Sequence, residues 1–305
     1  MKIYCSIEEY AREGYLSDVA LGYFDGVHEG HRAVIRLCTG QDSGAVKAVL
    51  TFRESPAAAL GRETPPYLTD NEEKARLMER LGVDAVIFAD FAAIRELSAE
   101  AFVTQILKEK LRALSVACGY NYRFGRGGAG DTAALTALCA REGITSSIAD
   151  PVSVQGETVS STRIRELLAD GEIARANAML GDPYTISGTV DRGNSLGTKM
   201  GYPTVNIPIS DGRMIPRRGV YASRVTVGGV SYRGATNIGV HPSVGENDRP
   251  LCETFLIGYD GGVLYGAEVV CTPERFIRPE RRFGSVDELM AQIGKDVQEV
   301  ISWDR

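Results

Sequence analysis

Val-Ala-Leu-Gly-Tyr-Phe-Asp-Gly-Val-His-Glu-Gly-His, residues 19–31, decides how the first half of this chain is read. It opens as a strand, VALGYF (19–24). Three glycines within nine residues, Gly22, Gly26 and Gly30, then let the backbone turn tightly and approach a ligand closely. A helix over Gly30 to Cys38 follows. Its first N–H groups and its dipole favour an anion at that end. His28 and His31 are three residues apart and share a face if the helix begins at or before them. Two imidazoles aimed at one phosphate would stabilise charge developing on it during nucleotidyl transfer. The chain has 3 histidines, and two fall in this turn.

Outward from it, short β-branched runs alternate with amphipathic segments. AVKAVLTF (45–52), DAVIFADF (84–91) and ALSVACGY (113–120) read as strands. The spacing predicts helices over 70–81, 98–111, 131–142 and 161–169, with Asp70 and Asp131 placed to cap two of them. This alternation implies a Rossmann-like, mostly parallel sheet with helices on both faces. From Tyr184 the pattern changes to short alternating runs and Gly-rich turns, which imply a small antiparallel β-barrel. Residues 285–301 read as a terminal helix, with Ser285 and Glu288 as a capping box. The expected boundary falls at Gly181-Asp182-Pro183, giving domains 1–182 and 183–305.

Composition narrows the classes. The 305 residues are 44% hydrophobic and 24% charged, an ordinary globular balance for two domains. Net charge is −6 and no basic block occurs, so no nucleic-acid partner is expected. No apolar stretch approaches the roughly 18–20 residues of a membrane span. Glu8 and Glu9 interrupt the start where a secretory peptide needs an apolar run. Cys5, Cys38, Cys118, Cys139, Cys252 and Cys271 form no CxxC pair and read as reduced thiols of a cytoplasmic protein. The oligomeric state is left open.

Other segments carry chemistry less sharply. Ser160-Ser161-Thr162-Arg163-Ile164-Arg165 is a hydroxyl-rich turn opening a helix, suited to phosphate oxygens or to simple capping. Gly119-Tyr-Asn-Tyr-Arg-Phe-Gly125 follows a strand at its C-terminal end, where open α/β sheets bind ligands. In Gly201-Tyr-Pro-Thr-Val-Asn206, Thr204 and Asn206 are two apart and point to one side of an extended chain. Their oxygens suit Mg²⁺, or they are merely outward residues of an edge strand. No GxxxxGK[ST] loop occurs.

The turn resembles the HxGH nucleotidyltransferases. More narrowly, it is similar to the N-terminal module of bacterial bifunctional riboflavin kinase/FAD synthetases, whose G-x-F-D-G-x-H-x-G-H pattern is matched by Gly22, Phe24, Asp25, Gly26, His28, Gly30 and His31. The resemblance covers nearly the whole chain, from about Ala20 to Asp296. It implies ATP bound at the turn and attack on its α-phosphate, with His28 and His31 catalytic. It adds Ser161, Thr162 and Arg165 as nucleotide contacts, and Asn121 and Phe124 as flavin contacts. In the second half it implies a riboflavin kinase. Thr204 and Asn206 would be the Mg²⁺ and phosphate ligands, and Gly197 would belong to a Gly-rich flap over the nucleotide. Glu253 would be the general base toward the riboflavin hydroxyl, and Arg278 a flavin contact. The implied substrates are riboflavin, FMN and ATP, and the products FMN and FAD. The chain departs from the kinase pattern at Gly197-Thr-Lys-Met-Gly201, where an Arg is usual, and at Ser243. Those departures keep open an adenylyltransferase with a barrel that only binds flavin. A flavin-binding sensor without turnover is a further alternative, disfavoured by the two histidines.

Overall fold

The computed structural model describes residues 1–191, 204–240, 250–262 and 264–303. The chain divides into two compact units, Met1–Ser161 and Thr162–Arg305.

The first unit is built on a six-stranded parallel sheet. Its strands are β1 (Lys2–Tyr4), β2 (Ser17–Leu21), β3 (Val46–Phe52), β4 (Ala85–Ala89), β5 (Ala113–Gly119) and β6 (Thr145–Ala149). They lie in the order β1-β4-β3-β2-β5-β6. β2 and β4 are buried at every residue, as sheets covered on both faces require. Alternate residues feed two cores. Val19, Leu21, Leu50 and Ile87 pack with Tyr10, Phe102 and Leu135 on one face, and Ala20, Val49 and Val86 with Ile35 and Met78 on the other. After β4 the chain crosses back to place β5 on the far flank of β2. The β2/β5 pair is therefore the topological switch point, where such sheets bind ligands beyond the strand ends.

Most expected elements appear, with shifts that have local causes. Asp70 and Asp131 cap their helices by accepting the N–H groups of Glu73 and Ala134. β2 stops at Leu21, because Gly22 starts the turn. The segment 98–111 is one α-turn, Ala99–Ala101, followed by a π-helix, Phe102–Lys110. β1, β6, the hairpin of β7 (Ser153–Val154) with β8 (Glu157–Thr158), and the helices Ile7–Ala11 and Ile173–Leu180 lie outside the sequence expectations.

The second unit carries a six-stranded antiparallel sheet. Its strands are β9 (Ile186–Thr189), β10 (Thr204–Pro208), β11 (Gly219–Val227), β12 (Val230–Val240), β13 (Pro250–Ile257) and β14 (Glu268–Pro279). The order is β10-β13-β12-β11-β14-β9, and an Asp191–Asn206 bridge brings the ends together into a nearly closed barrel. Ile207, Cys252, Thr254, Thr236, Val225 and Cys271 fill the interior, where the Thr236 and Thr254 hydroxyls bond each other at 2.8 Å. The terminal helix, Val286–Ser302, is capped by Ser285, which accepts the Glu288 N–H. The Glu288 carboxylate accepts from Gly284, one residue earlier than a capping box has it.

Candidate active sites

Beyond the end of β2, residues 22–31 fold into a strained turn. Phe24 and Val27 have φ of 58° and 39°, and Gly26 has φ of 85°. A β-branched residue at positive φ is an outlier, and such strain persists only where the surroundings over-determine it. Here they do. The Phe24 ring folds back over Gly22, where a Cβ would come within 2.9 Å of it. The Asp25 carboxylate accepts from the Leu68 N–H at 2.8 Å, and the Gly26 N–H donates to Thr69 Oγ1 at 3.0 Å. Asp25 is thus turned into the protein, where it holds the neighbouring segment.

The helix starts at Glu29, so His28 is its N-cap: Nδ1 accepts the His31 N–H at 3.2 Å. That bond puts the proton of a neutral His28 on Nε2, leaving an N–H donor there. The two imidazoles still stack, 3.5 Å apart and 14° from parallel, with the Phe24 ring against His31 at 5.3 Å. Gly30 leaves room for this stack, since a Cβ would lie 3.2 Å from His28 Cε1 and push the ring. Among the described residues, His31 Nδ1 is buried without a hydrogen-bond partner. Burial, helped by His28 and Lys74, holds the His31 pKa well below the usual imidazole range. Neutral rings can stack this closely, whereas two imidazoliums would repel.

The other expected residues of this unit fall as follows. The Ser161 hydroxyl donates to the Asp25 carbonyl at 2.9 Å, which ties the start of the hydroxyl-rich helix to the turn. Thr162 and Arg165 follow on that helix, Ser161–Asp170. Asn121 sits on an exposed turn after β5, closed by the Tyr122 N–H donating to the Gly119 carbonyl. Phe124 is buried among Phe102 and Tyr122.

Sequence reasoning missed Lys74. Its side chain is buried, and Nζ donates to the Tyr23 carbonyl at 3.1 Å and lies 4.4 Å from the Tyr23 ring centroid. Burial lowers its pKa to about 8, opposed by Asp25 and Asp70. A fall from 10.5 to about 8 corresponds to a cost on the order of 3 kcal/mol at neutral pH. The signal was present: Lys74 precedes Leu77 and Met78 by three and four residues, in the apolar stripe of its helix.

In the second unit, strand register assembles the cluster. Asn206 and Asn237 are the Cα partners of Glu253 on its two sides, so all three side chains share one face. Thr204 Oγ1 donates to Glu253 Oε1 at 2.7 Å. Asn237 Nδ2 donates to Glu280 Oε1 at 3.3 Å. Thr204, Asn206 and Glu253 therefore come together, and their hard oxygen donors fit Mg²⁺. The Arg278 guanidinium is held by Asp296 of the terminal helix, Nη2 to Oδ2 at 2.6 Å. Gly197, Lys199 and Pro203 of the flap region and Ser243 lie outside the described residues.

Two family models match: FAD synthetase over residues 13–163 and riboflavin kinase over 180–303. Proteins named bifunctional riboflavin kinase/FMN adenylyltransferase match along most of the chain. That of Listeria monocytogenes is 37% identical, covering 92% of this chain and 90% of the relative. That of Bacillus subtilis is 34% identical, covering 94% and 92%. That of Escherichia coli K12 is 35% identical, covering 91% and 90%. The chain belongs to the bifunctional riboflavin kinase/FMN adenylyltransferase family. A solved structure described as a macrolide-efflux protein from Streptococcus pneumoniae has the same fold across both units. Its TM-score is 0.82 at 29% identity, covering 94% of this chain and 95% of that one. Among the described residues here, no helix is long and apolar enough to cross a membrane. Within the bifunctional riboflavin kinase/FMN adenylyltransferase family frame, the FAD synthetase match contains the histidine turn. The riboflavin kinase match contains the Thr204–Asn206–Glu253 cluster.

Proposed function

We propose that this chain makes flavin cofactors in two steps. Riboflavin and ATP give FMN and ADP; FMN and a second ATP then give FAD and pyrophosphate. The observation that carries this reading is that each family match encloses its own assembled polar cluster.

For the kinase step, Glu253 takes the proton of the riboflavin 5′-hydroxyl. The oxygen attacks the γ-phosphorus of ATP, and ADP leaves. Thr204 and Asn206 would hold Mg²⁺, which when bound neutralises phosphate charge. The Thr204 hydrogen bond orients the Glu253 carboxylate beside that position. For the transferase step, an FMN phosphate oxygen attacks the α-phosphorus of ATP and pyrophosphate departs, with no covalent enzyme intermediate. His28 and His31 donate hydrogen bonds to the charge that develops there. Gly22, Phe24, Asp25, Gly26 and Gly30 shape the turn, while Ser161, Thr162 and Arg165 complete nucleotide binding. Asn121 and Phe124 are assigned to the flavin side of this site. Gly197 keeps its role in the kinase flap. Arg278 reaches flavin in the kinase unit only if it leaves Asp296. In this reading the functional boundary lies at 182/183, near the start of the riboflavin kinase match at residue 180. A reducing, cytoplasmic setting belongs to the same reading, since all six cysteines are free and five are buried.

The test is incubation of the pure chain with riboflavin, ATP and Mg²⁺, with the flavins resolved by chromatography over time. FMN should appear first and FAD after it. FAD from added FMN but none from riboflavin would leave an adenylyltransferase with a barrel that only binds flavin.

A further inference from the structure

We infer that Lys74 is a positioning residue of adenylyl transfer: its ammonium pins the Tyr23 carbonyl and places a positive charge beside the Gly22–His31 turn. This rests on the adenylyltransferase reading above.

The geometry is specific. The Tyr23 carbonyl accepts from Lys74 Nζ at 3.1 Å and from Thr51 Oγ1 of β3 at 2.9 Å. Tyr23 directly precedes Phe24, the residue held at φ 58°. Orienting that carbonyl from the helix below and from β3 therefore sets the peptide plane on which the strained turn begins. Asp25, the next residue but one, is anchored separately through the Leu68 N–H. The turn is clamped on both sides of Phe24, and Phe24 in turn packs on His31.

A half-buried lysine of the same unit, Lys47 on β3, shows why Lys74 is not ordinary core. Lys47 bonds the Asp18 carboxylate at 2.7 Å, within a network that includes Ser43 and the Gln41 carbonyl. It is neutralised in place. Lys74 donates instead to a carbonyl and lies over a ring, and the carboxylates of Asp25 and Asp70 act on it through space. An ammonium kept buried without a bonded carboxylate costs stability. Chains retain such groups where function uses the charge. Two uses coincide here. A triphosphate at the helix N-terminus is attracted to it, and its charge adds to the burial and the His28 field that hold the His31 pKa down.

The experiment uses the full chain with K74M and K74R. It measures kcat and KM for FAD formation from FMN, the pH profile of that reaction, the NMR titration of His31, the melting temperature, and the kinase rate. For K74M, kcat for FAD formation should fall on the order of 10- to 100-fold. His31 should titrate at higher pH, and the acid limb of the profile should move up with it. The melting temperature should hold or rise, and FMN formation from riboflavin should be unchanged. K74R should keep most of the activity. Unchanged FAD formation in K74M overturns the inference, as does a loss accompanied by lower melting temperature with His31 unmoved. A K74M chain that does not fold also overturns it, because the ammonium would then serve packing. Wild-type protein that makes no FAD overturns the parent reading itself.

Discussion

The two units assemble their polar clusters by opposite routes. In the first, one continuous segment, Gly22 to His31, supplies both imidazoles, the helix N-terminus and the glycines that let them stack. In the second, Thr204, Asn206, Asn237 and Glu253 come from three strands and meet only through register. The first cluster is strained and buried, and it depends on local φ angles. The second is unstrained and depends on the whole barrel closing. A local device fails locally, and a register device fails with its fold.

The largest effect expected from this contrast is separation of the two activities. His31→Ala should lower FAD formation by at least about 100-fold, the usual magnitude for a lost transition-state donor, and leave FMN formation standing. Glu253→Gln keeps an acceptor for Thr204 but removes the base. It should lower FMN formation by a comparable 10²- to 10⁴-fold and leave FMN-to-FAD conversion intact. Steady-state rates for both steps on both variants check this. A folded variant that loses both activities breaks the two-site picture.

That contrast also explains what was readable in the amino-acid sequence. The histidine turn was legible because its chemistry is contiguous: the Gly spacing, the paired His28 and His31, and the strand before them need no long-range information. The parallel sheet and the barrel were legible from hydrophobic period, since each strand carries its own burial pattern. Glu253 was reached through family resemblance alone, because on β13 it is one polar residue among alternating ones. Only the pairing of β13 with β10 and β12 places Asn206 and Asn237 beside it. The N-cap role of His28 was hidden by the helix starting one residue ahead of Gly30. The anchoring of Leu68, forty-three residues away in the chain, by the Asp25 carboxylate has no local signal in the sequence. Lys74 was passed over because a lysine in a charged helix reads as surface until its i+3 and i+4 neighbours are weighed.

A pair of glycine substitutions sharpens the comparison at intermediate size. Gly30→Ala puts a methyl 3.2 Å from the His28 ring, within a helix where Ala is otherwise favoured by about 1 kcal/mol. FAD formation should drop roughly 10-fold as the imidazole shifts, with thermal stability unchanged or higher. Gly234→Ala puts a methyl 2.5 Å from Thr254 Cγ2 and 3.2 Å from Val225 Cγ2, inside the barrel. That overpacking should destabilise the second unit by about 1–3 kcal/mol. Trp303, the single tryptophan, reports the loss as an earlier fluorescence transition. Equal stability effects in the two variants would contradict the distinction between a local and a register-built cluster.

The smallest expected effect is a pH dependence confined to the first unit. His31 has its folded-state pKa held well below 6.5, chiefly by burial. Below about pH 6.5 the unfolded chain takes up a proton on this imidazole that the folded chain does not. Its contribution is therefore fully present above that pH and is lost as pH falls toward the folded-state value. Proton uptake by the unfolded imidazole limits this loss at pH 5.5 to at most about 1 kcal/mol. Amide hydrogen exchange along β2, corrected for intrinsic chemistry, should show protection falling by up to that amount between pH 7 and 5.5. In His31→Gln that part of the slope should vanish. The same loss along β12 and β13 would mean that the acid sensitivity does not arise at the histidine stack. If β2 alone responds, the neutral pair is what ties the first unit's local stability to the protonation state its chemistry needs.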